Sequence, residues 1–386
     1  MSNTMTQLGK FITQIDNRAR DSKKIYSLSD IAGISSITKE FTKTKANLID
    51  VTVDSYKVCP PNCFAYNPNT ARMGDKIPIA LNNTNKDVLV SSIYPVFKLD
   101  NTKILSDYLM LFFKRSEFDR YARYMSTGSA REIFDWNEMC RVEIPLLTID
   151  EQQSIVNNYK AINKRIQIKQ KINKNLENQI RCIYTNFINT SEFQKIKLSE
   201  LCNKIGSGAT PKGGKSSYIN SGISFIRSMN VFDYNFEYEE LAHITQQQAK
   251  ELENVTLQEN DVLFNITGVS VARCCIVPNV LLPARVNQHV MILRPKNKNL
   301  NLFLMCSLCD IDNKNLLLGI SQSGSTREAI NKQEMENFSV SIPSNEELES
   351  FNRKCKPIQN EREIIQMEIF KLLELQQLLI SRISGM

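Results

Sequence analysis

The sequence predicts an α+β protein in which two mixed α/β domains are separated by two long helices paired as an antiparallel coiled coil, with an internal pseudo-two-fold repeat. Three observations carry this. Residues 127–139 read Thr-Gly-Ser-Ala-Arg-Glu-Ile-Phe-Asp-Trp-Asn-Glu-Met and residues 323–335 read Ser-Gly-Ser-Thr-Arg-Glu-Ala-Ile-Asn-Lys-Gln-Glu-Met, agreeing at six of thirteen positions without a gap. An Ile-Pro follows each copy, Ile144-Pro145 and Ile342-Pro343, and then comes a long charged segment with helical hydrophobic spacing. The halves also open alike, Leu8-Gly9-Lys10-Phe11 with Ile15 against Leu198-Ser199-Glu200-Leu201 with Ile205. A unit used twice implies approximate two-fold symmetry and a partner met at two similar places. At 386 residues the chain also exceeds the usual reach of one hydrophobic core. The expected boundaries are 1–147 for the first mixed domain, 148–190 for the first separator helix, 191–343 for the second mixed domain and 344–386 for the second helix.

In the first domain, 51–58 and 88–97 are rich in β-branched and aromatic residues and are read as strands. Asn67-Pro68-Asn69-Thr70 and Asn82-Asn83-Thr84-Asn85 between them are turn signals. Residues 106–124 have helical spacing, with Tyr108, Leu109, Phe112, Phe113 and Phe118 as the apolar stripe. Thr148-Ile-Asp-Glu151 then forms a capping-box pattern. Behind it, Ile155, Tyr159, Ile162 and Ile166, and later Leu176, Ile180, Ile183 and Phe187, step by three and four. Lys169 and Asn173 fall on the seam between these blocks while Ile168 and Ile172 lie one residue off, a slip that rotates the seam or admits a polar layer. Residues 148–189 make one helix of about 60 Å at ~1.5 Å per residue.

The second domain offers a flexible loop at 205–214 and strand candidates at 225–227, 261–264 and 286–293. The second long helix begins near Ser344. Its seam is Leu348, Phe351, Cys355, Ile358, Arg362, Ile365, Ile369, Leu372, Gln376, Leu379 and Ile383. Each helix has one apolar seam and two polar faces, so pairing them antiparallel is the economical solution. The competing arrangement folds each helix back on its own domain.

A composition of 42% hydrophobic and 23% charged residues is that of a globular protein, and the formal charge of +7 permits a nucleic-acid partner without requiring one. With no apolar run long enough to span a bilayer and no signal-peptide pattern, the expectation is no membrane role and a cytoplasmic location. Ten scattered cysteines are expected to be reduced thiols. Cys59/Cys63 and Cys306/Cys309 have ligand-like spacing, but zinc would require the pairs to converge, and the only histidines are His243 and His289. Residues 302–309 look like a buried helix face, and Cys274-Cys275 like core filling in a strand.

Catalytic patterns are missing. Residues 208–216 mimic a phosphate-binding loop, but the first glycine is one residue too far from Gly214-Lys215-Ser216 and Pro211 removes an amide. Pro60-Pro61 lacks the flanking residues of an amino-methyltransferase quartet, and two histidines leave no credible Ser/His/Asp set. Binding features are better represented. Gly-Ser-x-Arg occurs in both halves, with Arg131 and Arg327. Backbone amides and Arg there address phosphates, or the loop is a helix cap whose Arg bonds a carboxylate. Arg72, Arg227, Arg273 and Arg285 lie in or beside strand and loop candidates, where a guanidinium could reach guanine edges or phosphates. Asn287-Gln288 offer amides suited to adenine edges. These eight residues are the candidate DNA-binding set, with no catalytic or metal-ligating residue.

These features resemble the specificity subunit of type I restriction-modification systems over nearly the full length. In the first half the resemblance rests on Tyr56-Lys-Val58, Phe64-Ala-Tyr-Asn-Pro68, 90–97, Gly128-Ser-Ala-Arg131 and above all Ile144-Pro-Leu-Leu-Thr-Ile-Asp-Glu-Gln-Gln-Ser-Ile155. In the second it rests on 198–201, Ser207-Gly-Ala-Thr-Pro211, 223–227, 260–264, Thr267-Gly268 and Val286-Asn-Gln288. The second copy departs from it, since Ile342-Pro-Ser-Asn-Glu-Glu-Leu348 lacks Glu-Gln-Gln. The resemblance implies two target recognition domains, each reading half of a split site on double-stranded DNA. It implies that the paired helices set the spacer and dock two modification (methyltransferase) subunits, with restriction (motor-nuclease) subunits beyond them. S-adenosylmethionine, ATP and Mg2+ would serve those partners, leaving this chain without a cofactor and non-catalytic. The weak likeness of the two domains implies an asymmetric target. The readings that compete are a coiled-coil protein-interaction scaffold without a DNA role and a nucleotide hydrolase built on the 208–216 loop.

Overall fold

The computed structural model describes residues 5–44, 46–49, 51–69, 76–127, 132–190, 193–322 and 328–383. It divides into two compact units, one formed by 1–165 with 372–386 and the other by 166–371. The two unit boundaries therefore fall within the two long helices, Ile149–Ile188 and Asn345–Arg382.

In the first unit an antiparallel four-stranded sheet runs in the order Ile12–Ile15, Val96–Leu99, Cys63–Tyr66, Ile79–Leu81. Phe64 and Phe97 stack on one face with ring centres 5.0 Å apart, and Phe113 meets Phe64 edge-on. Two helices, Ser106–Phe113 and Ser116–Tyr124, supply that cover. In place of the single helix expected over 106–124, Lys114 ends the first and Arg115, in extended backbone, caps the second. The strand expected over 51–58 is short, with only Lys57–Cys59 paired, to Val88–Val90. The run 88–97 is two strands, divided by a turn in which the Tyr94 N–H donates to the Ser91 carbonyl (2.9 Å). Pro95, with no N–H to give a ladder, sits at that division.

The second unit repeats the frame. Its four-stranded antiparallel sheet runs Cys202–Ser207, Val290–Pro295, Val262–Asn265, Cys274–Ile276. A three-stranded sheet, Ala242–Ile244, Ile223–Ile226, Ala284–Val286, lies beside it, and its last pair is parallel. The run 286–293 is again two strands, Ala284–Val286 and Val290–Pro295. Helix Asn301–Cys309 is buried along its whole length, with Cys306 and Cys309 inside it, and Cys274 and Cys275 fill the core. All ten cysteines are free thiols. In each unit the strand at the start of the repeat pairs with the strand before a long helix: Met5–Gln7 with Glu143–Pro145, and Gln194–Lys197 with Ser339–Ile342.

The long helices serve both units. In the first, Ile155, Val156 and Ile383 join the apolar cluster of the sheet and its two helices. In the second, Ile180, Tyr184, Leu348, Phe351 and Cys355 join the cluster containing Phe303 and Val262. The facing pairs step down one helix as they step up the other. Tyr184 meets Phe351 with ring centres 6.3 Å apart, Glu177 lies 3.6 Å from Arg362, and Lys169 pairs with Glu368. The helices are thus antiparallel, and each seam also closes a domain core. Lys169 and Asn173, on the seam by spacing, make polar contacts, Lys169 with Glu368 and Asn173 with Asn235, while Ile168 and Ile172 are exposed.

Candidate nucleic-acid interface

The repeated segment explains how a common frame presents different loops. In the first copy Ile133 forms an isolated antiparallel bridge with Asn69, and the Phe134 N–H donates to the Pro68 carbonyl (2.9 Å). In the second, Ala329 bridges Thr267, and the Ile330 N–H donates to the Ile266 carbonyl (2.9 Å). Ala329 and Ile330 occupy the positions of Ile133 and Phe134 in the ungapped repeat. Asp135 and Asn331 then cap equivalent helices, each side-chain oxygen accepting from the backbone N–H of Glu138 or Glu334 at 2.9 Å. Met139 and Met335 are fully buried. The matched Glu and Met positions are therefore cap and core. The Gly-Ser-x-Arg part, with Arg131 and Arg327, lies outside the described residues, as does Arg72.

In the second unit the loops gather at one end of the sheets. The strand Cys202–Ser207 ends there, Val290–Pro295 starts there, Val262–Asn265 ends there and Cys274–Ile276 starts there. Ile223–Ile226 and Ala284–Val286, running parallel, end there too, joined beyond Val286 by the Asn287 N–H donating to the Ile226 carbonyl (3.0 Å). Close approach is essential here. A Cβ on Gly208 would lie 2.1 Å from the Val286 carbonyl oxygen and 2.3 Å from that of Asn287. Only glycine lets the 208–211 segment cross that backbone, where the Ala209 N–H donates to Val286 (3.0 Å).

This end brings together Arg227, Arg273, Asn287 and Gln288. Arg227 donates to the Glu240 carbonyl and lies over the Tyr218 ring, 5.7 Å from its centre. Arg273 stacks on Phe232 at 4.5 Å, a half-buried pose in which a planar guanidinium is preorganised. Gln288 is exposed and accepts from the Thr210 hydroxyl. Asn287 is buried, and its Oδ1 accepts from the His289 N–H (3.2 Å), shaping the turn that presents Gln288.

Arg285 is different and leaves the candidate set. It is 8% exposed and donates through Nε to the Ala249 carbonyl (3.0 Å) and through Nη1 to that of Ala284 (3.2 Å). Burial pulls its pKa down, opposed by Glu253. Although Ala284–Val286 is the edge strand of its sheet, the Arg285 side chain is enclosed there and its donors serve the fold.

The candidate set left out three groups at this end. Thr267 Oγ1 and His289 Nδ1 are 2.8 Å apart and brace neighbouring loops. Val269 is 98% exposed at the tip of the Gly268–Ser270 turn, where Gly268 has φ +66°. Lys212 and Lys215 are exposed on the 208–217 loop, which opens only the 3-10 turn Gly214–Ser217. Alternating polarity cannot reveal these, because turn composition marks a loop without saying where it ends up. In the first unit the loop between Val88–Val90 and Val96–Leu99, which stands where 287–289 stands in the second sheet order, places Ile93 in the open, 61% exposed. Among the described residues no group of three or more His, Cys, Asp or Glu side chains could hold a metal ion, and no helix is long and apolar enough to cross a membrane.

Residues 190–375 match the model of the type I restriction modification DNA specificity domain. The second half of the chain belongs to this domain family. No curated protein sequence matches it significantly. The S subunit of a type I restriction-modification system from M. genitalium superposes with a TM-score of 0.58 at 12% identity, covering 99% of this chain and 96% of that one. The HsdS subunit from Thermoanaerobacter tengcongensis reaches a TM-score of 0.40 at 16% identity, with 98% and 96% covered. The first likeness shows that the fold of a specificity subunit extends over both halves. The matched domain's part in type I restriction modification is DNA specificity.

Proposed function

We propose that this chain is a specificity subunit that reads a bipartite, asymmetric sequence on double-stranded DNA, one half per mixed domain. The carrying observation is the pair of equivalent bridges, Asn69 with Ile133 and Thr267 with Ala329, which anchor unlike loops on like frames. Where the loops differ, as Ile93 differs from Gln288, the bases read should differ. Arg273, Gln288 and Val269 are our choice for base-edge contact in the second half, because amides and guanidinium match purine edges and an apolar tip suits a thymine methyl. Lys212, Lys215, Arg227, Arg131 and Arg327, with Arg72 in the first half, are assigned to phosphates.

The paired helices are proposed to dock two modification subunits, which bring S-adenosylmethionine and methylate adenine. Restriction subunits would add ATP- and Mg2+-dependent translocation and cleavage in the cytoplasm. Co-expression with the neighbouring modification subunit, followed by mapping of methylated adenines across a genome, should return two unlike half-sites at a fixed separation. A symmetric motif, or none, would overturn the reading.

A further inference from the structure

Along the second unit's part of the coiled coil three successive polar pairings interrupt the seam, with the buried Ile365 among them. Lys169 pairs with Glu368 in the first. Asn173 and Gln366 form the second. In the third, Glu177, buried at 6% exposure, receives Lys174 (2.8 Å) and Arg181 (2.9 Å) and lies 3.6 Å from the fully buried Arg362. Arg362 Nη1 donates to Gln359 Oε1 (3.1 Å), while its Nε and Nη2 have no hydrogen-bond partner among the described residues. An apolar seam would bury these positions at lower electrostatic cost. Buried polar groups in paired helices are best justified where they choose one register over its neighbours.

The middle pairing has a partner from outside the helices. Asn235 Oδ1 accepts from Asn173 Nδ2 (3.3 Å) on one helix and from Gln366 Nε2 (2.6 Å) on the other. Asn235 belongs to a tight hairpin whose strands are Val231–Phe232 and Asn235–Phe236. Its turn residue Tyr234 has φ +60°, a left-handed conformation that a bulky residue adopts only when held there. The hold is visible. The Tyr234 ring is 3% exposed and lies 4.0 Å beneath the Arg181 guanidinium, its N–H donates to the Cys274 carbonyl (2.9 Å), and Asp233 pairs with Lys314. Phe232, at the other end of the same hairpin, carries Arg273 of the candidate interface.

We propose that this hairpin is the key that sets the second reader on the helix pair, with Asn235 as a positioning residue that ties both helices and the reader into one register. The proposal rests on the bipartite reading above and adds which residues hold one half in place. Loss of the shared acceptor should leave the bases read unchanged and loosen the separation at which they are read.

Full-length Asn235→Ala and Asn235→Asp chains, each co-expressed with the modification subunit, provide the test, with Gln366→Ala and Asn173→Ala as variants that remove one donor each. Thermal melting establishes which variants are folded, and methylome mapping reads the outcome. Asn235→Ala should methylate the native half-sites at separations one base pair longer and shorter as well as at the native one. Asn235→Asp, which keeps the acceptor, should hold the single native separation. Folded Asn235→Ala with an unchanged single separation would overturn the proposal, and so would relaxed bases at the half-site. If Asn235→Ala does not fold, the two donor variants decide by the same readout. If the native chain yields no bipartite motif, the functional reading falls first, which separates the two failures.

Discussion

At the scale of residues, identical side chains end in opposite surroundings because burial differs. Arg273 and Arg285 both flank strand-like runs, and nothing in the sequence separates them. In the fold Arg285 is enclosed and bonded to carbonyls, whereas Arg273 is stacked at a loop end. Arg285→Ala should therefore destabilise the second unit by about 1–3 kcal/mol, because it strands two buried acceptors. DNA affinity per folded molecule should barely change. Arg273→Ala should leave the melting temperature nearly unchanged and weaken DNA binding, with the dependence of log K on log salt shallower by about one if it meets a phosphate. An unchanged slope with altered base preference would instead make it a base-reading side chain. Calorimetric melting and DNA titration at several salt concentrations distinguish these outcomes. Val269→Asp, which puts a carboxylate on the exposed tip, should lower DNA affinity tenfold or more without loss of stability. Equal binding by that variant in the titration would remove the tip from the interface.

At the scale of elements, the starts of the long helices show what a local motif does. Thr148 and Glu151 cap the first reciprocally: the Thr148 N–H and hydroxyl donate to Glu151 Oε2 (2.9 and 2.8 Å), and the Glu151 N–H donates back to Thr148 Oγ1 (3.3 Å). Ser344 and Glu347 repeat the box on the second. The Glu-Gln-Gln of the first copy has a tertiary reason. Gln152 is fully buried, donates to the Lys103 and Leu147 carbonyls (2.9 Å each) and accepts from the Leu105 N–H (2.8 Å). In the second copy Leu348 enters the apolar cluster, and Asn352, one turn later, donates to the Asn299 carbonyl (2.8 Å). The missing Gln is thus replaced by a residue outside the motif, which is why the departure could not be interpreted from sequence alone. Gln152→Ala should cost about 2–4 kcal/mol, since three buried groups lose their partner, and a denaturant titration measures it.

Acid should act on the same cap. The Glu151 carboxyl is held below its ordinary value of 4.5, first by the Thr148 backbone N–H and then by its hydroxyl. A carboxyl depressed in the fold contributes stability above its unfolded pKa and loses it as pH falls through the folded value. The melting-temperature gap between the native chain and Glu151→Gln should therefore narrow from about pH 6 to about pH 3. A gap that stayed constant would show that the charge contributes nothing there.

At the scale of the whole molecule, the repeat, the long helices and the polar break in the seam were legible, because periodicity reports which face of a helix is buried. It does not report the neighbour. Hence the sharing of each helix between two cores, Ile155 with Ile383 in one and Tyr184 with Phe351 in the other, emerged only in three dimensions. That sharing dictates how the helices can be shortened. Removing 164–170 alone shifts the facing pairs in one unit by about two turns and should lower stability and blunt the melting transition. Removing 367–373 as well deletes Lys169 together with its partner Glu368 and restores the facing of Asn173 and Gln366. The matched heptad deletion shortens each helix by about 10 Å at ~1.5 Å per residue. At ~3.4 Å per base pair, that length corresponds to about three base pairs of DNA. The matched variant should fold and methylate the native half-sites at a separation about three base pairs shorter. A folded matched variant that kept the native separation would mean that the helices hold the protein together without measuring the DNA.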